Sequence, residues 1–482
     1  MSKSQGGEVL APANQANKLS LIAATLVPHT GDFILDIRNN IMEIAIYEDI
    51  FSKELKGTIL YQDAAGIVET LPLIGEEFVV VSFETQKQDG LKETTEYTFY
   101  CYGISKRSRL EDKSEVYVLS LTSPETLIND KLESKKSYVG KTISEIVENE
   151  YKINFEDNEW KCGRNNTIRF LGTKEAQPKI NIEETEGLHS FVAPSKSPFD
   201  FIEYLSSQAY SAKYPESDFV FYRDRDSYNF ITFSSLMEKE SVESFYYTNP
   251  NIALDDEIQS HQIIYGFGYR SLPDTFKRLR TGAYSNEAST LDLVTKKFNT
   301  EKFDYYDITQ REKFTNISDF PLMSDFSVHK NYFDSSYSLK RFFLTDSDRD
   351  DAEYLSNKET DQYILFPNLK EKFATLKTSK NAQIKHSNRL WLSVAGNNSL
   401  KVGDIIDVFV PQNAELITLR DQHNLLFTDG DESARFMITA LAHNFDRMKD
   451  EYITRIECIK DSYGKSFGEI EKYFRNNEGI WT

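Results

Sequence analysis

Residues 74–82 read IGEEFVVVS, and residues 402–410 read VGDIIDVFV. Each is a glycine turn, an acidic shoulder and a strand. Glycine supplies the backbone angles of a tight turn, and the acid keeps the start of the strand solvated. Gly75, Glu76, Phe78 and Val80 answer to Gly403, Asp404, Ile406 and Val408. Each phrase leads into a strand, a hairpin tip and a second strand: FYCYGISKRSRLEDKSEVYVLSL at 99–121 and FMITALAHNFDRMKDEYITRIECI at 436–459. The step from Phe99 to Val116 is 17 residues, as is the step from Phe436 to Ile453. Two readings stand. Any two β-hairpins look alike, or the chain holds two similar antiparallel barrels near its two ends.

Outward from these phrases the texture is mainly β. DFILDIRNNIMEIAIYEDIF, KGTILYQDA, EEFVVVSFET, EYTFYCYGIS and EVYVLSLTS alternate with period two between polar turns, which predicts an antiparallel barrel or sandwich over 28–122. At 123 the pattern changes. Ser123-Pro124-Glu125 and Ser197-Pro198 are helix starts, an N-cap hydroxyl followed by proline at the first position. KTISEIVENEY at 141–151 carries Ile143, Ile146 and Val147 on one helical face. DFVFYRDRDSYNFITFSSL reads as a hairpin with RDRDS at a polar tip, so 123–245 is expected to be an α+β accessory domain. Strands return in NRLWLSVAG, GDIIDVFVP, ARFMITALAHNF and EYITRIECIKDS, so 246–270 with 375–464 is expected to form the second barrel. Residues 271–374 form an insertion or accessory region, in which the polar 346–363 reads as an exposed loop or short helix. Residues 1–27 are expected to be an N-terminal arm and 465–482 a docking tail. The fold class is therefore mainly β with α+β insertions.

A chain of 482 residues exceeds what one core usually serves, and predicts roughly two to four domains. Its 33 Phe and 27 Tyr suit half-buried pleated surfaces. The formal charge of −20 repels phosphate backbones, which argues against a nucleic-acid binder but suits a duct through which nucleic acid slides. Cys101, Cys162 and Cys458 lie far apart without a CxxC pair, which fits buried free thiols in a reducing compartment. LSLIAATLV, at 19–27, follows a polar lead with Glu8, a poor fit to a signal peptide, and nine residues do not span a bilayer.

Enzyme chemistry finds little support. The seven histidines, at 29, 189, 261, 329, 386, 423 and 443, show neither HExxH nor HxH spacing, and His443 at a strand end reads as structural. GFG at 266–268 lacks a third glycine, and no GxSxG or GxxxxGK[ST] occurs. Asp346, Asp348 and Asp350 alternate like a calcium loop, but Asp351 stands where glycine is needed and Asn357 where a chelating acid belongs. No catalytic, cofactor or metal residues are assigned.

The stretches IAIYEDIFSKELKGTILYQDAAGIVETLPLIGEEFVVVSFET (44–85), KSPFDFIEYLSSQAYS (196–211), FVFYRDRDSYNFITFSSL (219–236), GDIIDVFVP (403–411) and ARFMITALAHNFDRMKDEYITRIECIKDS (434–462) carry a resemblance. They resemble the baseplate hub proteins of contractile-tailed bacteriophages, which are related to the N-terminal half of VgrG-type spikes of type VI secretion. The resemblance implies two tube domains per chain and a homotrimeric ring, threefold in sequence and near sixfold in shape. It also implies partners: a central spike, tail tube or tube-initiator proteins, baseplate wedge proteins, and phage DNA in transit through the bore. The expected location is the virion baseplate, after assembly in the host cytoplasm. Phe467, Ile470, Phe474 and Trp481, apolar along one face of the C-terminal tail, are candidate docking residues. The alternatives are a virion-associated polysaccharide-degrading enzyme and a receptor-binding adhesin, each on a β scaffold.

Overall fold

The computed structural model describes residues within 19–304, 339–365, 381–410 and 434–460, apart from short stretches inside those ranges. Twelve strands, in two runs of six, form nearly all of one large sheet. The first run is β1 (Leu19–Val27), β2 (Ile41–Asp49), β3 (Lys56–Asp63), β4 (Phe78–Gln86), β5 (Lys92–Glu111) and β6 (Ser114–Thr122). The second is β7 (Ser241–Tyr246), β8 (Ile264–Ser271), β9 (Asn388–Ala395), β10 (Ile405–Phe409), β11 (Ala434–Asp446) and β12 (Glu451–Lys460).

The spatial order of the first run is β2-β3-β6-β5-β4-β1, and that of the second is β8-β9-β12-β11-β10-β7. Adding six to each label turns one order into the other. All neighbouring pairs are antiparallel except the last of the second run, where β7 lies parallel to β10 while β1 lies antiparallel to β4. A further ladder, β11 on β2, fuses the two runs into one 13-stranded sheet that also takes in the two-residue strand Leu35–Asp36.

Period-two alternation builds the cores. In the first run Ile59, Tyr61, Val79, Val81, Phe99, Tyr117, Leu119 and Leu121 point inward and are buried together. In the second, Leu390, Leu392, Val394, Ile406, Val408, Phe436, Ile456 and Cys458 do the same. The cores are laced at the seam: Ile50, just after β2, is buried in the second core, and Phe445 of β11 in the first. Neither unit closes into a barrel through a continuous ladder among the described residues. The second edge of β2 is taken by β11 and cannot also pair with β1, which instead meets the short strand 35–36.

The third unit holds α1 (Pro124–Lys131), α2 (Ile143–Tyr151) and α3 (Pro198–Ser206). Thr142 Oγ1 caps α2 by accepting from the Glu145 amide at 3.3 Å, and Ser197 Oγ caps α3 from Asp200 at 3.4 Å. Its core is aromatic: Phe155 stacks on Phe199 at 4.7 Å, and Tyr228 lies 5.0 Å from Phe199. A separate three-stranded sheet, Phe298–Asp304, Ser285–Asp292 and Leu339–Thr345, lies within 271–374.

Three expected boundaries shift. LSLIAATLV, expected within a free arm, is β1 and ladders along β4, because its alternate residues Ala24 and Leu26 have a core to enter. The α+β unit ends before 245: α4 (Phe233–Met237) and β7 both bury side chains in the second core. The polar stretch 346–363 contains a strand, Tyr354–Asn357, that pairs in a hairpin with Gln362–Leu365, rather than a loop or helix alone.

Candidate functional site: the seam between the two units

The repeated phrase begins at glycines that need their freedom. Gly75 has φ +86° and Gly403 has φ +84°, both left-handed, and each turns the chain into β4 or β10. The acid that organises the first turn is Glu77 rather than Glu76. Its buried carboxylate accepts from the amides of Ile74 at 2.7 Å, Gly75 at 3.0 Å and Glu76 at 3.0 Å. The Glu77 carbonyl accepts from Cys101 N at 2.7 Å, as the Asp404 carbonyl accepts from Ile438 N at 2.8 Å.

That equivalence moves the correspondence by one residue. Phe78 opposes Tyr100 and Val79 opposes Phe99, whereas Ile405 opposes Met437 and Ile406 opposes Phe436. Val79 and Val81 are therefore the counterparts of Ile406 and Val408, all four buried. Phe78 and Val80, matched with them on sequence, lie half-buried on the opposite face. The first turn carries one more residue between glycine and strand, and a slip of one exchanges faces.

Irregularities coincide too. β5 bulges between Cys101 and Gly103, and β11 bulges between Ile438 and Ala440. β2 bulges between Ile41 and Glu43, and β8 between Ile264 and Gly266. Bulges re-aim strands and are specific features of a fold. Beyond its bulge, β11 gains a second neighbour. Ala440–Asp446 pair with Glu43–Asp49 of β2, Ala442 opposite Tyr47 and Asn444 opposite Ala45.

Buried charge fastens the seam. The hairpin Phe219–Arg223/Ser227–Thr232 projects its RDRDS turn between the two units, so this polar tip is largely enclosed: Arg223 is 7 % and Asp224 6 % exposed. Asp224 Oδ1 accepts from the amides of Asp226 at 2.7 Å and Ser227 at 2.6 Å, and Asp224 Oδ2 from Asn229 Nδ2 at 2.8 Å. Arg225 donates to the Asn398 carbonyl, and Lys401 Nζ lies 2.6 Å from Asp226. Asn398 spans to the first unit, accepting from Tyr97 Oη at 3.0 Å and donating to Thr95 Oγ1 at 2.7 Å. Glu48, on β2 beside this turn, is pushed up to about 8 by burial first and by the charge of Asp224 second, with Arg225 opposing. His443 is pushed down to about 4 by burial and then by Arg225, while its Nδ1 contacts Tyr452 Oη at 2.9 Å. Burial also pushes the Cys101 thiol up to about 12, and the Cys458 thiol upward.

No group of three or more metal-ligating side chains occurs among the described residues, and no described helix is long and apolar enough to cross a membrane. Phe467, Ile470, Phe474 and Trp481, together with His29, His329, His386 and His423, lie outside the described residues. The seam itself escaped the sequence reading. Its one local trace is the run of four alternating charges at 223–226, unusual between two aromatic strands.

No protein-family model matches the chain. The probable baseplate hub protein of Vibrio phage KVP40 is 25% identical over 209 residues, which are 43% of this chain and 45% of that protein. The match thus spans less than half the length of that relative. The tail protein of Neisseria meningitidis MC58 superposes with a TM-score of 0.46 at 11% identity, covering 91% of this chain and 96% of the other. The tail protein of prophage MuSo2 from Shewanella oneidensis gives 0.49 at 9% identity, covering 91% and 98%. Over the matched residues this chain is similar to a phage baseplate hub protein, and the solved structures it resembles include a tail protein and a prophage tail protein.

Proposed function

We propose that this protein is a structural baseplate hub: a homotrimer whose six similar units make a collar, adapting a sixfold tail tube to a threefold central spike. The observation that carries the reading is the repeated strand order, β2-β3-β6-β5-β4-β1 and β8-β9-β12-β11-β10-β7, within one chain. Three such chains present six like units around one axis without sixfold sequence identity. The partial identity to a phage hub protein supports the same assignment. The partners are then the spike below, tube or tube-initiator proteins above, wedge proteins at the rim, and DNA only in passage. The formal charge of −20 per chain favours passage without adhesion. Work of this kind is mechanical rather than enzymatic, and its place is the virion tail, after assembly in the host cytoplasm. The C-terminal tail, with Phe467, Ile470, Phe474 and Trp481, docks on one of these partners.

Sedimentation velocity with negative-stain imaging tests the proposal. The expected result is a three-subunit annulus with a central bore. A monomer or dimer that persists to high protein concentration removes it.

A further inference from the structure

The seam between β11 and β2 is a junction between unit two and unit one of a single chain. Each of its strands has a counterpart in the other unit: β5 corresponds to β11, and β8 to β2. In the chain these counterparts are each one neighbour short. β11 has β12 on one side and β10 followed by β2 on the other. β5 has β6 on one side and only β4 on the other, which leaves off at Tyr100. β2 lies between β3 and β11, whereas β8 ends the sheet beside β9. Among the described residues, no strand ladders onto the outer side of Ile104, Ser105, Ser108 and Arg109, or onto the outer side of Gly266, Phe267 and Gly268. Such edges invite pairing.

Strand registers supply a second and independent observation. Between Ser105 and Ser108, β5 carries one residue more than β11: Ser105 opposes Val118 but Ser108 opposes Val116, while β11 runs regularly along β12 from Ala440 to Asp446. Relative to β2, β8 also carries one extra residue: Tyr269 opposes Leu390 but Ser271 opposes Arg389, while β2 runs regularly along β3 from Glu43 to Tyr47. Transfer of the β11–β2 register onto β5 and β8 puts Ser105 opposite Ser271 and Ser108 opposite Gly268. Two residues of β5, Lys106 and Arg107, then face two of β8, Arg270 and Tyr269. The extra residues cancel, and the ladder runs without interruption. Either one alone would break it.

We infer that neighbouring copies join edge to edge, with Ser105–Arg109 of β5 in one subunit laddering antiparallel onto β8 of the next, in the register the chain already uses between β11 and β2. The inference rests on the trimeric reading and names its contact. The join is head-to-tail, so it closes only as a ring. Side chains allow the approach. Gly266 and Gly268 present no Cβ on a face occupied by the Trp391 ring, and Arg270, which would face Lys106, is paired at 3.1 Å with Glu457, a carboxylate it shares with Arg389.

A deletion cycle on the full chain tests it. Deleting Lys106 alone, or Arg270 alone, is expected to weaken self-association roughly tenfold or more, whereas deleting both restores it, because only relative register matters. A double deletion no tighter than the single ones overturns the inference. Folding of each variant is checked by circular dichroism; each deletion removes only the extra residue of its own strand within the paired stretch. A photoreactive side chain in place of Ser108 provides the second arm, in a mixture of isotopically light and heavy subunits. Light–heavy cross-links within 264–271 support the pairing. A trimer whose cross-links map elsewhere rejects this contact and leaves the hub reading standing, while absence of any trimer rejects both.

Discussion

At Gly403 the backbone stands at φ +84°, and an added Cβ would come within 2.8 Å of Tyr222 Oη and 2.9 Å of Leu236 Cδ2. Alanine there meets both the left-handed penalty and a packed neighbour from the accessory unit, and should cost about 2–4 kcal/mol. Gly75, at φ +86°, would bring its Cβ only to 3.2 Å from the Tyr102 carbonyl oxygen, so Gly75→Ala should cost about 1–2 kcal/mol. Urea denaturation of the two variants checks the order, which reverses if the second turn is the looser. Glu48 gives a sign as well as a size. Its carboxyl, ordinarily near 4.5, titrates near 8 in the folded chain, so the folded form keeps a proton the unfolded form has lost. Stability therefore falls as pH rises from 4.5 to about 8. Glu48→Gln should abolish that loss, gaining on the order of a few kcal/mol at pH 8 and little at pH 4.5. His443, held near 4 against an ordinary 6.5, acts on the other limb, destabilising the fold as pH falls from 6.5 to 4, and that limb should survive when the Glu48→Gln variant is titrated.

Among elements, the hairpin that ends in RDRDS does what no single strand can, since it touches both sheet units and the accessory core. Asp224→Ala would leave two turn amides and the Asn229 side chain without their acceptor inside a closed seam, and should cost about 2–4 kcal/mol. It also removes the negative charge that raises Glu48 most, so the alkaline fall in stability should diminish in the variant, as the Glu48 carboxyl moves back towards its ordinary value; an unchanged fall would mean the two groups do not couple. Strands and helix starts were legible in the sequence because they are local: alternation and Ser-Pro caps declare themselves within ten residues or so. Seams are not local. RDRDS is polar enough for any surface turn, and its burial follows from three units meeting there. Equal 17-residue spacings also hid unequal structure. Beyond the bulge the two strands share, β5 holds two extra residues and two residues separate Glu111 from Ser114, whereas β11 runs regularly and four separate Asp446 from Glu451. The sum is the same, so the repeat was visible while the feature that distinguishes the two edges was not. The one-residue slip in the glycine phrase has the same cause: matching glycines anchored the comparison, and the ladder decides the face.

For the whole molecule, charge and edge pairing pull in opposite directions. Each chain carries a formal −20, and the proposed trimer would carry three times that. Backbone ladders between subunits are short-ranged and nearly indifferent to salt, whereas the repulsion between like-charged subunits extends about 30 Å at 0.01 M ionic strength and about 8 Å at 0.15 M. Assembly through β edges should therefore tighten as salt is raised over that range, with the dissociation constant falling by roughly tenfold or more if repulsion is worth a kcal/mol or two. Sedimentation equilibrium across a sodium chloride series reads this directly. A collar held by complementary charged patches would behave in the opposite sense, loosening with salt. The slope thus separates a ring zipped by backbone from a ring glued by side-chain charge, and only the first follows from a sheet in which β8 and the open flank of β5 copy the two halves of the β11–β2 seam.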